Sequence, residues 1–257
     1  MKTIRWIASA AALAALGGCV VVSSEKRETK TYEFSGFDSV TATSGVNVVL
    51  KQGPFSVSAE GPKNRLDLLD IGKSGSTLKV ANKPHMDWGF VWTGPTIVTV
   101  VAPDYQSIDA SGGADVDIES LKLDGLDLNA HGGADVNLDG LSLGRLGITA
   151  SGGADINLKG GTLDQVKVEA SGGADVQLVG ACKALEAEIS SGADLSARDL
   201  RCETASVDAS GGADAGVYAT ASARGRARGG SDINVHGNPG NVDSDESGGG
   251  DVNVASN

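Results

Sequence analysis

Aromatic side chains make up only 4% of this 257-residue chain, and after residue 110 a single one remains, Tyr218. Any core built by the later residues must therefore be aliphatic. Histidine is as sparse: His85, His131 and His236 share no ligand spacing, which removes a zinc site. Basic residues are outnumbered, 21 against 33 acidic, for a formal charge of −12, or −14 without Lys2 and Arg5. An acidic chain of this kind argues against nucleic acid and against general attraction to anionic lipid heads. Beyond the first twenty residues no apolar stretch is long enough to cross a bilayer.

What the chain does have begins at its N-terminus. Lys2 and Arg5 form a positive n-region, and residues 7–16 form an apolar segment too short to span a membrane. Leu16-Gly17-Gly18-Cys19 then matches a lipobox, in which the cysteine thiol is diacylated and becomes the new N-terminus. No better Ala-x-Ala site lies downstream. The competing reading is an ordinary secretory signal with an incidental cysteine. Val20 rather than Asp follows Cys19, and the lipobox resemblance then implies outer-membrane sorting in a Gram-negative envelope. Several acyl chains anchor stably, at roughly 0.8 kcal/mol per buried methylene. The division expected is a signal peptide over 1–18, a lipidated cysteine and polar tether over 19–30, and one folded unit over 31–257.

A repeat dominates that unit. Ser-Gly-Gly-Ala-Asp or a close variant ends at Asp115, Asp135, Asp155, Asp175, Asp194, Asp214, Asp232 and Asp251, in steps of 20, 20, 20, 19, 20, 18 and 19. Within one unit apolar and polar residues alternate through Ala114-Asp115-Val116-Asp117-Ile118, then around Lys122, and again around Asp127 and Asn129. That is the period of a strand, three short strands per unit, each with one apolar face. No unit can bury that face alone, so the coils must stack at ~4.8 Å. Twenty residues at ~3.3 Å each give a circumference of roughly 66 Å, a narrow prism filled by Val, Leu, Ile and Ala. The fold expected is all-β, a single-stranded parallel β-helix, right-handed by the rule for parallel crossovers.

The paired glycines mark a corner where positive φ is needed. Across coils the corner becomes a ladder of carboxylates, Asp115, Asp135, Asp155, Asp175, Asp194 and Asp214. One reading is calcium, as in shorter Gly-Gly-x-Asp repeats. The other is a structural corner in which each carboxylate bonds nearby main-chain N–H groups. A single carboxylate per corner is far from a cage of six to eight oxygens, which favours the second. Cys182 and Cys202 each lie twelve residues before a corner aspartate, hence at equivalent positions on adjacent coils. They form either a bridge, since stacked Cα atoms fall in disulfide range, or two buried thiols. Arg224, Arg226 and Arg228 alternate along one strand, so three guanidinia share a face, either open to a phosphate or uronic acid or paired with nearby aspartates.

The region before the repeats holds the aromatics. Residues 31–108 read as wider, capping coils, followed by regular repeats over 109–257; within the front, 64–71 is the one plausible short helix. The segment 85–92 contains Trp88, Phe90 and Trp92, which either cap the core or protrude to stack on a sugar or meet a partner. Residues 37–50, Gln52-Gly53 ahead of a strand, and the step through Pro103 into the first Ser-Gly-Gly-Ala-Asp coil resemble the head GIN domain of auto-transporter adhesins. The resemblance covers roughly residues 35–235. It implies a β-helical, non-catalytic surface or periplasmic module and brings no catalytic residues with it. The chain is thus read as a non-catalytic envelope lipoprotein, structural or adhesin-like. It is anchored through Cys19, with a surface glycan or envelope protein as partner, and no cofactor is implied. Calcium binding is the alternative. Polysaccharide-cleaving chemistry is the weaker one, because uniform coils leave no room for the long loops that shape a cleft.

Overall fold

Residues 27–84 and 94–255 are described by the computed structural model of the chain. Alternating burial marks nearly every element of it. The strands are β1 Arg27–Tyr32, β2 Ser39–Thr43, β3 Asn47–Gln52, β4 Ser56–Pro62, β5 Leu69–Ser74, β6 Thr77–Asn82, β7 Ile97–Ala102, β8 Ser107–Ser111 and β9 Asp115–Glu119. They continue as β10 Lys122–His131, β11 Asp135–Ser151, β12 Asp155–Ser171, β13 Asp175–Ser190, β14 Asp194–Ser210, β15 Asp214–Arg228, β16 Asp232–His236, β17 Asn241–Ser247 and β18 Asp251–Val254. One turn of helix, α1 Lys63–Leu66, lies between β4 and β5.

The long strands wrap around the molecule. β11 pairs with β9 through 135–139 and with β10 through 142–151, both parallel. Between β11 and β12 each residue faces the one twenty positions on, Asp135 opposite Asp155 and Ile148 opposite Val168. The result is the expected parallel β-solenoid, of about seven turns. It has three faces: an aspartate face (135–139 and equivalents), a short face (142–146) and a serine face (147–151), whose rows end in Ser111, Ser151, Ser171, Ser190 and Ser210.

The interior is a stack of aliphatic rows, such as Val116, Val136, Ile156 and Val176, all buried. It narrows along the axis. One row runs Leu123, Leu143, Leu163, Cys182, Cys202, Ala219. Smaller residues suit the shortened coils, and β-bulges interrupt the ladder from β12 onward.

Each corner is closed by main chain. The N–H of Asp155 donates to the Ala134 carbonyl and that of Asp175 to the Ala154 carbonyl, both at 3.0 Å. The aspartate side chains sit on the exposed side, where the Asp194 carboxylate also accepts from the Asp214 N–H, and the motif's alanine turns inward and is wholly buried. Glycine is required where coils touch. At Gly152, with φ +80°, a Cβ would stand 3.0 Å from the Gly132 nitrogen. At the corner before Asp232, Ser231 replaces the alanine. Its buried hydroxyl shares one proton between the main-chain carbonyls of Ala209 and Arg228 and accepts from the Arg228 N–H.

The front departs from a plain coil. β6 and β7 stack on β2 and β3, so the β2–β3 coil lies between a later part of the chain and β8–β9. Beyond them the pairing turns antiparallel, β5 on β6, β4 on β7, and β1 on β4. Two expectations change. The stretch read as tether to residue 30 already forms β1 from Arg27, an exposed strand at the edge of the sheet. The helix expected over 64–71 is limited to α1, and 69–71 belongs to β5, because cross-strand pairing outweighs a helix too short to stand alone. Tyr105 fills the interior where the short face is missing, and its single hydroxyl proton is shared between the carbonyls of Lys51 and Val100, each at 3.0 Å. The Gln52 side chain serves as a substitute strand at the first edge of the short face, accepting from the Lys122 N–H and donating to its carbonyl.

Candidate functional site

Period-two alternation in β15 places Gly225 and Ala227 inside and Arg224, Arg226 and Arg228 outside, on the serine face. None of the three guanidinia is left as a free cation. Arg226 meets Asp208 on β14 at 3.3 Å, while Arg224 and Arg228 meet Asp243 and Asp245 on β17, each at 3.4 Å. A run that stands alone in sequence is thus a neutralised row clamping the last strand of this face to the body. Each such pair, exposed to solvent, contributes at most about 1 kcal/mol.

This row borders two depressions. The larger, about 610 Å³, follows the bend between the short and serine faces across β11 to β15 and β17. One wall carries Arg145, Gln165 and Thr204, the other Lys167, Glu186 and Arg224. Ala184, Thr204 and Ser222 keep the trough open, since a larger side chain at any of them would fill it. With ~4.8 Å between strands, six strands span roughly 24 Å. The smaller depression, about 380 Å³, lies on the other side of the row, between Arg226 and Arg228, the acids Glu169, Glu188 and Asp208, and hydroxyls such as Ser190. Sequence reasoning missed both. A signal existed in the small residues at matching positions of successive repeats, but which side of the bend they face is decided only by coiling.

The corner aspartates form a single file on the aspartate face. Among the described residues no group of three or more His, Cys, Asp or Glu side chains is placed to hold a metal ion. The file does carry electrostatic strain at its middle: burial, then the neighbouring Asp175 and Asp214, pushes the Asp194 carboxyl above its ordinary value. Cys182 and Cys202 face each other on β13 and β14 with Cα atoms 4.4 Å apart, and their sulfurs are bonded. His131 replaces a corner serine, its Nδ1 2.7 Å from the Ser151 hydroxyl on an exposed surface. Cys19, Trp88, Phe90 and Trp92 lie outside the described residues. No helix among the described residues is long and apolar enough to cross a membrane.

Solved structures share this architecture. A putative adhesin from Parabacteroides merdae superposes with a TM-score of 0.79 at 19% identity, covering 90% of this chain and 97% of that one. One from Bacteroides fragilis gives 0.67 at 22%, with 90% and 98% covered. A protein from Parabacteroides distasonis described as a putative lipid binding protein gives 0.72 at 18%, with 90% and 97% covered. At these identities the likeness is one of fold. No curated protein matches the sequence. The family model described as "Putative auto-transporter adhesin, head GIN domain" matches residues 36–165 and 161–239. With most of its length matched, from the first coil to the corner after β16, the chain belongs to that head GIN domain family.

Proposed function

We propose that this chain is a non-catalytic binding module of the cell envelope, held at the outer membrane by lipid on Cys19. On this reading it engages a surface glycan or an extended segment of an envelope protein along the trough beside Arg224. The observation that carries the reading is the trough itself, with walls of charge, amide and hydroxyl contributed by six strands. Its volume falls within the usual range of ligand sites, roughly 300–1,000 Å³. The scaffold adds to this: the wall residues on β11 to β15 sit on strands fixed on both sides by main-chain pairing, with β17 as the edge, so most of the site is formed before the ligand arrives and little ordering entropy opposes binding. Membership of an adhesin-named family points the same way.

The test uses a Cys19→Ser form, presented to an array of envelope glycans and, by cross-linking, to envelope proteins. Thr204→Trp combined with Ala184→Trp should abolish capture by filling the trough. Capture lost instead in Trp88→Ala/Trp92→Ala would move the site to that segment, and capture by neither route would overturn the binding reading. Metabolic palmitate labelling that is lost in Cys19→Ala checks the anchor separately.

A further inference from the structure

The end of the solenoid nearest Cys19 differs in charge from everything beyond it. Residues 27–84 carry eight Lys and Arg against six Asp and Glu, a net +2. Residues 94–255 carry ten against twenty-five, a net −15. The acidic balance of the whole chain therefore hides a reversal confined to one end.

Aromatic rings gather at the same end. Tyr32 and Phe34 stack with centroids 6.4 Å apart, half-buried against the core, and Lys30 Nζ lies 5.2 Å from the Tyr32 ring. Phe55 leans on buried Phe37 at 5.0 Å and remains 37% exposed. The same region exposes Arg27, paired with Glu60, Lys63, paired with Asp67, and Lys73. β1, which carries Arg27 and Lys30, pairs with β4 on one side and is exposed along nearly its whole length. Seven residues lie between Cys19 and Arg27, eight Cα steps with a reach of at most about 29 Å when fully extended.

We propose that this end rests on the lipid headgroups of an anionic phospholipid bilayer, with the exposed Phe55 in the interfacial layer and Lys30 and Lys73 toward the acidic heads. The inference rests on acylation of Cys19. Rings with an apolar body and a polar or cationic neighbour are favoured at the membrane–water interface, and basic residues close to an anionic surface add attraction that salt screens. The body works in the opposite sense. Its negative charge is repelled by the same surface, so the coil axis points away from the membrane and carries the trough beyond the headgroups.

The experiment has two stages, both on the full mature protein. Flotation with vesicles of phosphatidylethanolamine and phosphatidylglycerol is compared for the wild type and Cys19→Ser. Loss of flotation in Cys19→Ser establishes the anchor; a wild type that carries no acyl chain removes the footing of the proposal at this stage. Amide hydrogen exchange over β1 and residues 33–37 is then followed on the anchored protein. Exchange there should slow at least several-fold on phosphatidylglycerol vesicles and revert in high salt. It should also revert in Lys30→Glu/Lys73→Glu, which still floats. An anchored protein whose β1 exchange is the same on anionic and neutral vesicles overturns the proposal. Protection that appears only when envelope proteins are added overturns it too, in favour of a protein partner.

Discussion

The coils from Ser107 onward and the region ahead of them enclose one continuous core by different means. The later coils use repetition: parallel register, a buried alanine at each corner, and small aliphatic rows with Tyr218 the only aromatic. The front uses antiparallel strands, a chain that doubles back, and large rings. A repeating coil can add turns indefinitely but cannot finish itself, because its last strand always leaves an edge and an open core. The front solves this by reversing strand direction and filling the interior with Tyr105. The opposite end solves it with charge: β17 and β18 are exposed, and Glu246 turns its carboxylate to the Val252 N–H at 3.1 Å.

Four measurements would break or sharpen this contrast. The largest effect is expected from Tyr105→Ala, which should cost about 3–5 kcal/mol, as for a buried aromatic. If front and coils fold together, urea titration followed by circular dichroism should stay a single transition shifted downward. Two transitions would make the front a separate unit. Next, reducing the Cys182–Cys202 bond, which closes a loop of sequence separation 20, should cost about 3 kcal/mol. Hydrogen exchange should rise in β13 to β15 and leave β2 to β4 unchanged.

Tyr105→Phe removes the hydroxyl shared by the buried Val100 carbonyl and the part-buried Lys51 carbonyl, for about 1–3 kcal/mol. Burial raises the Tyr105 pKa above its ordinary value. The phenol therefore stabilises the fold in full below about pH 10, the unfolded value, and loses that contribution as pH climbs toward the raised one. Tyr105→Phe should accordingly flatten the alkaline limb of the stability profile.

The smallest effect belongs to the repeats. Asp194 also has a raised value, but an acid is charged above it, so its folded-state cost is present at neutral pH and relieved as pH falls through the raised value toward the ordinary one. Asp194→Asn should raise the melting temperature by about a degree or two at pH 7, in keeping with a surface change of at most ~0.5 kcal/mol. The gain should vanish at pH 3. A clear loss at pH 7 would instead show that the bond the carboxylate accepts from the Asp214 N–H outweighs that cost.

How much was legible in the sequence divides along the same line. The repeat exposed its strands, its corner glycines and the alignment of Cys182 with Cys202, because each coil obeys one local rule and the period repeats it. β1 and β5 escaped, and α1 was read too long, since the strands' pairing partners lie elsewhere in the chain and nothing local distinguishes a polar edge strand such as Arg27–Tyr32 from a tether. The arginine row was visible, but its neutralisation by Asp208, Asp243 and Asp245 depended on the coils either side.

Period and composition alone therefore determined that this protein is a parallel solenoid with an aliphatic core, because strand alternation and a twenty-residue repeat admit few other ways to bury one face. Only the tertiary structure decided where surfaces of opposite character fall. Coiling brings residues twenty apart into contact, and it is this contact that carves the trough and turns scattered arginines into ion pairs. The same stacking gathers the aromatic, less acidic residues at the end from which the chain leads back to Cys19.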